Sequence, residues 1–348
     1  MRIAMVSPLY ESVPPKLYGG TERVVSYLTE ELVRQGHDVT LFASGDSRTQ
    51  AQLASPCPQG LRLANCKDPI AHHVLMVEEV FKRAPGFDVI HFNIDYIHYP
   101  LFRRCSTPCV TTLHGRLDME DQKPLYWEFR DMPVVSISYA QRRPLPWLNW
   151  VGNVYHGLPE DLYTFHPEPG KYLAFLGRIS PEKRPDRAIE IAEKAGMKLL
   201  MAAKVDNADK EYFECVIEPM LKSPWVEFIG EIGEKEKDGF LGGAYALLFP
   251  IDWPEPFGLV MIEAMACGTP VIAWKNGSVP EVIDTGRTGF IVESLEEAVA
   301  AVEKVGEISR LGCRRTFEER FTASRMARDY AKVYRKLIEE KKPLLKAV

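Results

Sequence analysis

The sequence predicts an α/β protein built from two parallel-sheet domains, on three observations. Its 348 residues exceed what one hydrophobic core ordinarily serves, which favours two domains of roughly 150 to 200 residues. Short β-branched runs alternate with amphipathic stretches from end to end, the pattern of parallel sheets covered by helices on both faces. That alternation breaks once, in the proline-bearing stretch 156–170, and then restarts.

In the first half, strands are expected at 3–6, 39–42, 89–92, 110–113 and 134–137. Between the first two lies a helix for which Thr21 is the expected cap. Val24, Val25, Leu28, Leu32 and Val33 share its buried face, and Gly36 sits where a helix ends with positive φ. The second series places strands at 172–176, 199–202, 226–229, 246–249, 271–273 and 290–292. The stretch 156–170 reads as a linker. The expected division is therefore 1–160, 161–323 and a terminal helical segment 324–348, on which Met326, Ala327, Tyr330, Val333, Tyr334 and Leu337 recur at helical spacing. Two open parallel sheets hold ligands at the carboxyl ends of their strands, so function is expected in the loops there, across a cleft.

Composition narrows the function class. Hydrophobic residues make up 46% and charged residues 26%, an ordinary globular balance, and 43 Lys plus Arg against 48 Asp plus Glu leave a net charge of -5. No global positive field exists to hold a nucleic acid. The seven cysteines lack paired C-x-x-C spacing and read as reduced thiols in a cytoplasmic protein. Residues 1–7 are too short an apolar run for a signal peptide, and no stretch reaches the length of a membrane span. The segment RRPLPWLNW at 142–150 reads first as core packing. Its alternative is a lipid surface or a hydrophobic acceptor met by Arg142, Arg143, Trp147 and Trp150.

Four loops carry candidate chemistry. In the first, Gly19 and Gly20 precede the first helix, where backbone amides attract anions and glycine permits close approach. A simple turn is the equal alternative. The dinucleotide fingerprint G-x-G-x-x-G is absent, which argues against a nicotinamide dehydrogenase. In the second, a strand runs into a loop bearing Arg178, Lys183 and Arg184, cations suited to a diphosphate but also to plain solvation. The third, 249–273, carries Asp252, Glu255 and Gly258 and then a helix whose apolar run is interrupted by Glu263. A carboxylate accepts two hydrogen bonds from vicinal sugar hydroxyls, and Glu263 in so apolar a helix requires a buried partner. The fourth is TLHGRLD, with His114 directly after a strand; Asp95, after another, is a weaker candidate on the acceptor side.

Gly177, Arg178 and Lys183 in the spacing G-R-x-x-x-x-K, followed from Glu255 by E-P-F-G-L-x-x-x-E-A-M-A-C-G-x-P-V-I, resemble glycosyltransferase family 4. The Gly19-Gly20 loop, the TLHG segment and the run from Pro280 to Phe290 extend the resemblance from end to end. It implies a GT-B fold of two Rossmann-like domains, the first facing the acceptor and the second binding the donor. The activity implied is retaining transfer of a sugar from a nucleotide diphosphate sugar, a uridine diphosphate sugar by family frequency, to the hydroxyl of an unidentified sugar, glycolipid or small molecule.

By the same resemblance Arg178 and Lys183 bind the diphosphate in place of a metal, and no cofactor is required. Glu255 holds donor-sugar hydroxyls, the amides of Phe257, Gly258 and Leu259 face sugar or phosphate, Glu263 takes the ribose, and His114 contacts the sugar. Ile229 and Glu231, in the loop FIGEIGE, lie where the base would be met. No D-x-D triplet occurs. One departure stands out: where many relatives have glycine after the lysine, this chain has Arg184 and then Pro185, which leaves the course of that loop open. The alternatives are a nucleotide-sugar 2-epimerase of the same fold, which needs no acceptor, and a catalytically silent nucleotide-sugar-binding protein.

Overall fold

A computed structural model describes residues 1–16 and 19–341. Leu17 and Tyr18 of the first glycine loop, and residues 342–348 of the expected terminal segment, lie outside the described residues. The chain divides into two compact units. One comprises Met1–Pro159 together with the chain from Ala323 onward, and the other Glu160–Thr322.

The first unit contains a seven-stranded sheet of β1 (Arg2–Val6), β2 (Asp38–Phe42), β3 (Gln52–Ala54), β4 (Val89–Phe92), β5 (Cys109–Thr112), β6 (Val134–Ser136) and β7 (Trp150–Asn153), in the order β3-β2-β1-β4-β5-β6-β7. Every pairing is parallel. Ile3, Ala4, Met5 and Val6 are all fully buried, as expected of a central strand covered on both faces. The two strands absent from the sequence reading are the edges. Gln52–Ala54 is three residues long with Leu53 exposed. Trp150–Asn153 carries Gly152, a poor strand former. That glycine has a packing reason: a Cβ there would lie 2.9 Å from Val333 Cγ2.

Val333 belongs to the helix Ala323–Lys341, whose expected apolar stripe, Met326 through Leu337, is buried as a set. It docks on the first unit through polar bonds as well. The fully buried His91 of β4 places Nδ1 2.7 Å from the Tyr334 hydroxyl and Nε2 2.7 Å from Thr112 Oγ1, which lies 2.8 Å from the Tyr330 hydroxyl. Arg325 donates to the carbonyls of Tyr155 and His156. Among the described residues no helix is long and apolar enough to cross a membrane.

The second unit holds a six-stranded parallel sheet of β8 (Leu173–Arg178), β9 (Leu199–Lys204), β10 (Val226–Gly230), β11 (Ala246–Phe249), β12 (Val271–Trp274) and β13 (Gly289–Val292), in the order β10-β9-β8-β11-β12-β13. All six expected strands are present. Strand order reverses between β1 and β4 in one sheet and between β8 and β11 in the other. Such reversals leave a crevice at the carboxyl ends of the two strands, where open α/β sheets bind ligands.

One expectation for the first helix fails. The helix Gly20–Arg34 begins a residue earlier than expected, with Gly19 at its N-cap and no side-chain cap bond, so Thr21 lies inside the first turn. Gly36, with φ +81, ends it as expected. The stretch 142–150 packs inward, Leu145 and Leu148 joining the core with Trp147 and Trp150 against it.

Candidate active site

At the reversal point of the second sheet, β8 ends on Arg178, and the chain turns through 179–184. The Ser180 carbonyl accepts from the amides of Lys183 and Arg184, which curls the loop back on itself. Arg178 is gripped by two carboxylates, Glu182 through Nη2 at 3.0 Å and Asp209 through Nε at 3.3 Å. Arg184 adopts φ +52, the left-handed region, immediately before Pro185 opens the helix Pro185–Ala195. Proline disfavours right-handed helical geometry in the preceding residue, and the guanidinium holds the turn by bonding Asp186 at 2.8 Å and Asp252 at 3.2 Å. Burial alone would raise the Asp186 carboxyl, but bonds from Arg184 and from the Tyr212 hydroxyl hold it below the usual carboxylate range.

The neighbouring loop, after β11, is tied to this one by the Asp252 amide, which donates to the Glu182 carbonyl at 2.8 Å. Lys183 thereby meets Glu255 in a direct ion pair, its ammonium also lying 5.1 Å from the centre of the Trp253 ring and 5.7 Å from that of Phe249. The Trp253 indole donates to the same carboxylate oxygen, Oε2, at 3.0 Å. A third loop clamps the second. The Ser278 amide donates to the Glu255 carbonyl at 3.0 Å and the Ser278 hydroxyl to the Phe257 carbonyl at 2.8 Å. Gly277 sits with φ +53 so close that a Cβ would lie 2.3 Å from the Glu255 carbonyl oxygen.

Gly258, at φ +78, turns the chain into the helix Leu259–Ala266. Phe257, Gly258 and Leu259 therefore stand at a helix N-terminus, where the first amides have no acceptor within the helix itself. Glu263, within that helix, is buried and does have a partner, Lys237, whose ammonium donates to Oε1 at 3.0 Å. Ile229 and Glu231 stand at and just beyond the end of β10, two strands from β8 at the sheet edge, both exposed. The structure brings Lys183 and Glu255 together and sets Arg178 in the adjoining loop. It gives Ile229 and Glu231 no bond to that cluster among the described residues.

In the first unit, His114 follows β5. Its Nε2 lies 2.8 Å from Asn93 Oδ1, and Asn93 in turn donates through Nδ2 to the Val6 carbonyl, which orients the amide. Nε2 is thus the protonated nitrogen and Nδ1 an acceptor, shielded from solvent and without a hydrogen-bond partner. Burial lowers the imidazole to about 3. His114 is therefore a neutral imidazole at pH 7, its Nδ1 lone pair covered by the surrounding protein. His156 stacks on it with ring centres 5.3 Å apart. Gly19 packs on Pro15, where a Cβ would lie 2.8 Å from the proline Cβ, while Gly20 has open space around it. Asp95, after β4, has φ +51, and loss of hydration raises its carboxyl.

Trp253, Gly277, Ser278 and Lys237 escaped the sequence reading. Trp253 is two residues from Glu255 and the Asn276-Gly277 pair is a turn signal, yet nothing local shows which loop either one meets. Among the described residues no group of three or more His, Cys, Asp or Glu is arranged to hold a metal ion.

Comparison with known proteins agrees with this arrangement. The family model described as Glycosyltransferase Family 4 matches residues 18–178, and that described as Glycosyl transferases group 1 matches residues 164–320. An uncharacterized glycosyltransferase of Methanocaldococcus jannaschii is 26% identical over 333 residues, covering 81% of this chain and 83% of its own. The crystal structure of AviGT4, a glycosyltransferase of avilamycin A biosynthesis, superposes with a TM-score of 0.75 at 23% identity over 97% of this chain and 98% of that one. Anabaena HepE, solved in complex with UDP-glucose, gives a TM-score of 0.74 at 16% identity over 97% of this chain and 100% of that one. Two parallel α/β units, the GT-B fold of these neighbours and two family models that overlap across 164–178 and together span 18–320 lead to one assignment: the chain belongs to glycosyltransferase family 4 and is a glycosyltransferase.

Proposed function

We propose that this enzyme is a retaining, metal-independent hexosyltransferase that moves a sugar from a uridine diphosphate sugar to an acceptor hydroxyl. The observation that carries the proposal is the meeting of Lys183 and Glu255, beside Arg178, at the strand-order reversal of the second sheet. A sugar diphosphate presents hydroxyls and a dianionic bridge side by side, and this cluster offers a carboxylate acceptor next to two cations. The resemblance to family 4 and the UDP-glucose bound by the HepE neighbour support the uridine donor.

In the proposed reaction the bond between the anomeric carbon and the diphosphate oxygen breaks while the acceptor oxygen bonds to the same face of that carbon. The acceptor proton passes to the departing diphosphate. Arg178 and Lys183 offset the charge that builds on the leaving group, the task a metal would otherwise perform, and the amides of Gly258 and Leu259 add to it. Glu255 receives donor-sugar hydroxyls and fixes the ring, Glu263 takes the ribose, and His114 contacts the sugar. Ile229 and Glu231 lie at the base, and the amides around Gly19 and Gly20 approach the phosphate or sugar. The seven free cysteines fit a cytoplasmic setting.

Calorimetry with UDP, GDP and ADP in excess chelator tests the proposal. Binding of UDP in chelator, lost in Arg178→Ala, is the expected result. Binding that requires added metal, or that ignores Arg178, would overturn the diphosphate assignment.

A further inference from the structure

Among the described residues, Lys237 is the cation that pairs with Glu263. It lies on the helix Glu234–Gly242, which follows the loop after β10, and donates to Glu263 Oε1 at 3.0 Å. The Glu263 side chain is only 4% exposed and that of Lys237 16%. On its other flank Lys237 lies 3.8 Å from Glu234 Oε2, and the Tyr163 hydroxyl donates to the Glu234 carboxylate. Polar contacts therefore run from Tyr163 through Glu234 and Lys237 to Glu263, hydrogen bonds at the two ends and a longer ion pair between Glu234 and Lys237.

A buried carboxylate is tolerated when paired, and the partner decides which oxygen remains to bind something else. Lys237 occupies Oε1. Among the described residues no hydrogen bond is made to Oε2, and a ribose ring presents two adjacent hydroxyl donors to such an acceptor.

We infer that Lys237 is a positioning residue for nucleotide recognition: by anchoring Oε1 it aims Oε2 of Glu263 at the ribose hydroxyls, so that the chain's preference for a ribonucleotide over its deoxy counterpart depends on Lys237. The inference rests on the ribose role of Glu263 proposed above and adds a residue that touches no ligand itself. A purely structural lysine would affect every nucleotide alike. A positioning lysine affects only the part of the affinity that comes from the hydroxyl.

The test measures binding of UDP and 2′-deoxy-UDP to the full chain, wild type, Lys237→Met, Lys237→Arg and Glu263→Gln, with thermal melts as a check on folding. If ADP or GDP binds more tightly, the corresponding pair replaces the uridine one. Wild type should favour UDP by about tenfold, the scale of one hydrogen bond to a charged acceptor. Lys237→Met should reduce that ratio to about twofold or less while 2′-deoxy-UDP affinity stays within about twofold, and Lys237→Arg should keep most of the ratio. Equal losses for both nucleotides in Lys237→Met, or an unchanged ratio, would overturn the inference. Glu263→Gln separates the two levels. Collapse of the ratio there but not in Lys237→Met removes only the role of Lys237, whereas a ratio intact in Glu263→Gln, or absent from wild type, removes the ribose reading and this inference with it.

Discussion

Lys183 and Glu255, 72 residues apart, form one ion pair, and the Trp253 indole donates to the same carboxylate oxygen. Two donors on Oε2 restrain the carboxylate and, in the function proposed above, leave Oε1 for donor-sugar hydroxyls. Trp253→Phe keeps an aromatic ring near the Lys183 ammonium but removes the N–H. Its expected effect is a fall in kcat of about tenfold, with nucleotide affinity within about twofold of wild type, because the loss concerns the sugar rather than the diphosphate. Steady-state kinetics beside UDP calorimetry check this, and equal losses in both would mean that the indole holds the loop, not the carboxylate.

Arg184 presents two opposed terms at one residue. A non-glycine residue in the left-handed region costs about 1 kcal/mol, a cost that glycine at this position would avoid. Here the guanidinium pairs with Asp186, whose side chain is 16% exposed, and with the more open Asp252. Both Arg184→Gly and Arg184→Ala lose the pairs, but only alanine keeps the strain. Arg184→Gly should therefore be more stable than Arg184→Ala by about 1 kcal/mol and less stable than wild type by a similar amount, read from urea unfolding. Equal stabilities of the two variants would show that the turn stores no strain.

Buried histidines make the first unit acid-sensitive. Burial lowers both His91 and His114 to about 3, against about 6.5 in an unfolded chain. Between those values the unfolded chain binds more protons than the folded one, so stability rises with pH there and is lost as pH falls from about 6.5 toward 3, by up to about 1.4 kcal/mol per pH unit for each histidine. Amide exchange in β4 and β5 should accelerate below pH 6 before that in β8 and β11. His91→Gln should flatten the dependence while lowering stability at pH 7, since it removes bonds to Tyr334 and Thr112. A pH profile unchanged by His91→Gln would contradict this account.

What the sequence revealed and what it concealed divide along the distance between interacting residues. Strands buried on both faces showed as apolar runs, and Gly36 showed as a stop, because those signals are local. The stripe Met326 to Leu337 announced a helix but not its site, since the bonds that settle it, from Tyr334 to His91 and from Tyr330 to Thr112, span more than 200 residues. Glu263 showed that it required a partner without showing that Lys237 was the one. Trp150–Asn153 carries Gly152, which weakens strand propensity, and the reason for that glycine lies on the distant Val333. Arg184 broke a family pattern, and the structure keeps the backbone conformation glycine favours while supplying the side chain with two acids.

Gly277 belongs to the same hidden class. Its φ of +53 is one a side chain adopts at a cost, and its Cα faces the backbone of the Glu255 loop, where an added Cβ would lie 2.3 Å from the Glu255 oxygen, 2.4 Å from the Glu255 nitrogen and 2.7 Å from the Pro254 carbonyl carbon. These are backbone atoms, so no side-chain rotation relieves the clash, and either the 254–257 segment or the turn at 276–278 must shift. The Ser278 bonds to the carbonyls of Glu255 and Phe257 would loosen with it. Gly277→Ala should cost about 2 to 4 kcal/mol of stability and displace Glu255 from Lys183, lowering kcat about a hundredfold, the scale of a misplaced positioning group. Ser278→Ala removes one side-chain bond without the clash and should cost about 1 kcal/mol, with kcat lowered no more than about tenfold. Comparison of the two by urea unfolding and sugar transfer separates the steric term from the hydrogen bond, and a Gly277→Ala enzyme with wild-type turnover would show that the Glu255 loop tolerates a shift that this packing forbids.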